Sequence, residues 1–146
     1  MSKGNVFETE MLDHVLNNAD IALIGDAAGL LQSAADGNLY VSLHTADPGE
    51  AGTQETSEAA YTSYARVAIV RTGAAWTVAS GAAENAAAIT FPAATGGSES
   101  ETYFAVGTAS SGAGKILYSG ILDSALAVSN GITPQFGAGA LDITEG

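Results

Sequence analysis

The 146-residue chain carries sixteen Asp and Glu against four Lys and Arg, a formal charge of −12, and an excess of that size repels nucleic-acid phosphates and anionic membrane surfaces alike. With no cysteine at all, neither a disulfide framework nor a thiolate metal site exists. Hydrophobic residues reach 47 %, yet only four Phe, five Tyr and one Trp are among them, so the chain reads as one domain with a thin core that association supplements, and a homo-oligomer is expected.

Met1–Asn5 leads in without an apolar run resembling a signal peptide, and no stretch approaches the roughly 18 apolar residues of a membrane span. A protein made and kept in a cytoplasm is therefore expected. Phe7, Met11 and Val15 fall at i, i+4 and i+8 with Leu12 and Leu16 beside them, which predicts an amphipathic helix over Val6–Asn17, capped by Asn5. Such a helix either packs on a sheet or serves as an arm that docks on a neighbouring subunit. The expected organisation is an N-terminal arm and helix over 1–18 and a single β-sandwich domain over 19–146.

From Asn18 to Asn38 the pattern is mixed and predicts a short strand or helical turn followed by a loop. Leu39, Val41 and Leu43 then alternate with Tyr40, Ser42 and His44, the period of two of a half-buried strand. Asp47-Pro48-Gly49 stops it, and a polar loop over Glu50–Thr62 leads to a second expected strand over Ser63–Arg71. Further strands are predicted at Ala75–Ala79, Ala87–Phe91, Thr102–Thr108, Lys115–Leu122, Leu126–Ser129, Ile132–Phe136 and Leu141–Thr144. Gly120 suggests a bulge, and Asn130-Gly131 a tight hairpin turn. Together they make about eight strands separated by Gly-rich or Asn/Asp-rich turns, which predicts an all-β fold, an antiparallel two-layer sandwich or a jelly-roll-like barrel with a short N-terminal helix.

The residue types that carry chemistry are sparse. Gly112-Ala-Gly-Lys115 fails as a phosphate loop, because Ala109 stands where its first glycine belongs and Ile116 where a Ser or Thr would hold magnesium. His14 and His44 have no local His, Cys or carboxylate at ligand spacing, and no serine lies in a Gly-x-Ser-x-Gly elbow. Asp47, Glu50, Glu55 and Glu58 share one region without the spacing of a calcium loop. No catalytic residue, metal or cofactor is expected, and the protein is not read as an enzyme. Arg66 and Arg71 are expected to pair with carboxylates, within the chain or across a subunit boundary. Phe7, Met11, His14, Glu55, Glu58, Arg66 and Arg71 are the interaction candidates.

Leu39-Tyr-Val-Ser-Leu-His-Thr-Ala-Asp-Pro-Gly-Glu-Ala-Gly52, Tyr64-Ala-Arg66, Asn85-Ala-Ala-Ala-Ile-Thr-Phe-Pro92, Leu117-Tyr-Ser-Gly120 and Gly139-Ala-Leu-Asp-Ile-Thr144, with Leu12-Asp-His14 before them, resemble a family of small tailed-bacteriophage virion structural proteins. The resemblance implies a virion component without catalysis, assembled in the host cytoplasm. The expectation drawn from it is a head decoration, or cement, protein on the outer face of the capsid lattice, with the major capsid protein or another virion protein as partner. A tail-associated fibre or adaptor is the first alternative. A carbohydrate-binding surface module, using Trp76, Tyr61 and Tyr64 as platforms, is the second.

Overall fold

The computed structural model describes all of residues 1–146. It is an all-β protein with one helix: α1 (Asn5–Asn17), then β1 (Asn38–His44), β2 (Val67–Val70), β3 (Trp76–Ala79), β4 (Ala82–Asn85), β5 (Ile89–Thr90), β6 (Ser98–Gly107), β7 (Ile116–Ser129), β8 (Gln135–Phe136) and β9 (Asp142–Thr144). The strands form three sheets, ordered β2-β1-β6-β7, β3-β4-β9 and β5-β8, and none closes into a barrel. Of the two expected architectures, the sandwich class is the one that fits. The chain groups into two compact units, one of Met1–Asn38, Val70–Ile89 and Phe136–Gly146, the other of Leu39–Ile69 and Thr90–Gln135.

In the first unit, α1 lies against β3 and β4. Its buried stripe is Leu12 and Leu16, while Phe7, Met11 and Val15 are only half-buried and Val6 is exposed. The helix is thus rotated from the expected face by about one position, since Leu12 and Leu16 each follow a residue of that face by one. Gly4, and not Asn5, occupies the N-cap, and it offers no side-chain cap. Asn18 ends the helix in the left-handed region at φ 57°, a conformation asparagine tolerates better than most residues. The side chain of Asn17 accepts from the Trp76 amide at 3.1 Å and donates to the Trp76 carbonyl at 2.9 Å, extending the sheet edge with an amide side chain. Asn85 does more, accepting from the Ala140 and Leu141 amides and donating to the Ala87 and Gly137 carbonyls, which fills its whole hydrogen-bonding capacity.

Between α1 and β1 there is no strand, only an isolated bridge of Ile21 with Leu30. Polar side chains shape this loop. Asp26 accepts from the Ala28 and Gly29 amides, Asp20 from Gln32, and Asn18 from Ser33.

The second unit is built on β1 and β6, paired antiparallel with Val41 opposite Val106 and Leu43 opposite Phe104. Val41, Leu43, Phe104, Ala105 and Val106 are all buried, so both strands are covered. The expected strand over Ser63–Arg71 shrinks to Val67–Val70, because Ser63 turns to φ 80° and the Tyr64 amide bonds back to the Tyr61 carbonyl. The two strands expected at Lys115–Leu122 and Leu126–Ser129 are one 14-residue strand. Their separation survives as a change of register: Tyr103 faces Ile121 and Glu101 faces Leu126, so Thr102 alone lies opposite Leu122, Asp123, Ser124 and Ala125.

Gly120 is not that bulge. It pairs in register with Phe104, and a Cβ there would stand 2.9 Å from the Phe104 ring, so the missing side chain makes room for the aromatic. Asn130-Gly131 turns the chain, with the Ile132 amide bonded to the Ser129 carbonyl, but it joins no hairpin: β7 pairs with β6 and β8 with β5. The strand β4, Ala-Ala-Glu-Asn, is too short and too poor in large apolar side chains to show a period.

Candidate functional site

The most elaborate side-chain constellation lies in the second unit, where the loop after β1 meets the tip between β6 and β7. Gln54, fully buried, is the peg. Its amide nitrogen donates to the Tyr40 carbonyl at 3.1 Å, its carbonyl accepts from the Ala109 amide at 3.0 Å, and its main-chain amide donates to the Gly114 carbonyl at 2.9 Å. Gly114 is glycine for a steric reason, since a Cβ there would fall 2.2 Å from the Gln54 carbonyl oxygen. The stretch that imitates a phosphate loop is therefore a clasp around a buried amide.

Glu58 and Arg66 form the second fastening. Arg66 Nε donates to Glu58 Oε1 at 2.6 Å and Nη2 to Oε2 at 2.8 Å, the fork geometry of a strong ion pair. The guanidinium also donates to the Ala109 and Gly112 carbonyls, at 2.9 and 2.7 Å. With a side chain only 2 % exposed, Arg66 is spent within its own fold and binds the tip to the loop. Tyr64 adds a hydroxyl donated to Glu58 and accepts from the Leu43 amide. Burial is the main reason the Tyr64 hydroxyl is held above the ordinary phenol range, with the Glu58 charge adding to it.

His44, fully buried, donates from Nδ1 to the Thr56 carbonyl at 2.8 Å. A carbonyl only accepts, so that nitrogen carries the proton and Nε2 accepts from the Ser42 hydroxyl at 2.9 Å. Burial lowers the His44 pKa from its usual 6.5 and keeps the ring neutral. On β6, Glu99 accepts from the Ala60 and Tyr61 amides at 2.8 and 2.7 Å. Two residues along, Glu101 is fully buried, with the Glu99 carboxyl against it and no other partner for its oxygens. Desolvation first, then the neighbouring Glu99, pushes its pKa up to about 8.

The remaining candidates lie elsewhere. Phe7, Met11 and His14 are on α1, where His14 Nδ1 donates to the Ala19 carbonyl at 2.7 Å. Arg71 meets main chain where a carboxylate was expected: it donates to the Val15 and His14 carbonyls at 2.7 and 2.6 Å, where a cation suits the helix C-terminus. Glu55 is exposed. Trp76 and Tyr61 are buried, the Tyr61 hydroxyl donates to the Pro92 carbonyl, and Tyr64 packs edge-on to Tyr61 and parallel to Phe91. Trp76 and Tyr61 are thus core residues, and Tyr64 is part-buried. Sequence reasoning missed Gln54, Glu99 and Glu101; the one visible signal was Glu99-Ser-Glu101 at strand spacing, which puts two carboxylates on one face.

What the whole arrangement does is mechanical: it locks exposed loops onto a sheet. A family model described as Podophage GP4 fiber I protein gp80 matches residues 2–144. Among curated proteins none matches the chain. No helix is long and apolar enough to cross a membrane.

Proposed function

Because this chain belongs to the family of the podophage fibre I protein gp80, a family of phage virion structural proteins, we propose that it is a non-catalytic subunit of a virion fibre, acting by docking on another protein of the particle. The match over residues 2–144 is the observation that carries this reading. The clamped loops of the second unit support it, since a loop fixed by Gln54 and by the Glu58–Arg66 pair offers a contact surface at little cost in ordering. A chain of formal charge −12 suits a partner with a basic surface.

The head-decoration reading, with the major capsid protein as partner, draws on a small acidic sandwich with a thin core, polar loops and an N-terminal arm, features that a fibre subunit shares, whereas the family description speaks of a fibre. Immunogold labelling or particle reconstruction of virions carrying a tagged chain separates the two. The expected result is label at fibres in few copies. Label spread over the head lattice in hundreds of copies overturns the fibre assignment in favour of decoration.

A further inference from the structure

Four of the nine large apolar side chains that the fold leaves exposed, Leu23, Ile24, Leu30 and Leu31, fall within one short stretch between α1 and β1. Leu23 is 81 % exposed and Leu31 65 %. Single exposed leucines are ordinary on a protein surface, but such a concentration is not, above all in a chain of formal charge −12. The stretch is also held in shape. Two main-chain hydrogen bonds between Ile21 and Leu30, of 2.9 and 2.8 Å, close its base, and the fully buried Ile21 side chain roots it in the core. Gly29 passes so near that a Cβ there would overlap the Ile21 carbonyl oxygen. Asp26 fastens the turn through the Ala28 and Gly29 amides. Within this frame Leu23 stands in the left-handed region at φ 65°, where every other residue besides glycine is Asn or Ser. A leucine is disfavoured in that conformation, and the fold gains nothing by burying its side chain.

We propose that this loop is a docking tip, whose leucines enter an apolar pocket rimmed by Lys and Arg on a different protein of the virion. Resting on the virion assignment above, it gives the docking contact a place in the chain. The charge around the leucines selects the occupant. Asp20, Asp26 and Asp36 share the stretch between α1 and β1, and no Lys or Arg occurs between Lys3 and Arg66. Arg71, which reaches Ser33, is committed to the Val15 and His14 carbonyls. Anionic lipid or a second copy of the loop would set negative charge against negative charge, whereas a basic rim complements it.

Complementing a phage that lacks the chain with tagged full-length variants tests this, through copies per purified particle and the melting temperature of each purified chain. Leu23→Asp and Leu31→Asp replace exposed side chains and are expected to melt within about 3 °C of wild type. Incorporation should fall about tenfold or more, the factor that goes with losing the burial of one leucine. Leu23→Gly relieves the backbone and should melt no lower than wild type while also losing incorporation. Wild-type incorporation of both Asp variants overturns the docking tip and leaves the virion assignment standing, whereas absence of the wild-type chain from particles overturns both. A photocrosslinking amino acid in place of Leu31 identifies the occupant, and the expected product joins another virion protein beside its Lys or Arg residues. A cross-link to a second copy of the chain overturns that choice. So does flotation of the wild-type chain with phosphatidylglycerol vesicles that Leu23→Asp abolishes.

Discussion

Glu101 and His44 bury titratable groups whose effects on stability run in opposite directions with pH. The folded state holds the Glu101 proton up to about pH 8, whereas the unfolded chain releases it near the ordinary 4.5. Between those values the native state binds the extra proton, so stability falls as pH rises through that window and levels off above it. For His44 the folded pKa lies below 6.5, so stability is lost as pH falls below that value, where only the unfolded imidazole takes up a proton. Above pH 6.5 the Glu101 slope acts without the His44 term. Glu101→Gln, which keeps the shape and removes the ionisation, is therefore expected to flatten the decline in melting temperature between pH 6.5 and about 8. At pH 9 the variant should melt above wild type. An unchanged slope would show that Glu101 is ionised in the folded chain.

Single elements carry the next set of consequences. Arg66 ties the Ala109 and Gly112 carbonyls to Glu58. Arg66→Ala leaves that carboxylate largely buried with only the Tyr64 hydroxyl as side-chain partner, which is expected to cost about 3 kcal/mol in denaturant unfolding. Hydrogen exchange should show amides of the loop and tip losing protection before those of β1 and β6. Gly120→Ala drives a methyl group into the Phe104 ring and should destabilise by about 1–3 kcal/mol; a neutral result would mean the ring has room to move. The helix, β1, β3, β6 and the two segments of β7 were legible in the sequence, because their apolar periods are sustained or bounded by turn residues. Two things were not. β4 is the short Ala-Ala-Glu-Asn and carries no periodic signal, and Ser63–Arg66 alternates like a strand but is claimed by the Tyr64 and Arg66 side chains. Glu58 and Arg66 stood out as charges and are partners, but the glutamine peg at position 54 had no signature, since a buried amide looks in sequence like any polar loop residue.

For the whole molecule, composition was the surest guide: acidity, absence of cysteine and scarcity of catalytic motifs all fit membership of a virion structural family. A charge of −12 on 146 residues also repels itself. Raising monovalent salt to about 0.5 M, where the screening length is only a few ångströms, is expected to raise the melting temperature by a few degrees, and a fall would show that its ion pairs outweigh its self-repulsion. The two compact units differ in one further respect, set by where the aromatics fall. Trp76 lies in the first, and Tyr40, Tyr61, Tyr64, Tyr103 and Tyr118 all lie in the second. Nature has thus given each unit its own chromophore: indole emission follows one and phenol absorbance the other, so a single unlabelled sample, heated once and watched at two wavelengths, reveals whether the halves come apart in concert or in turn.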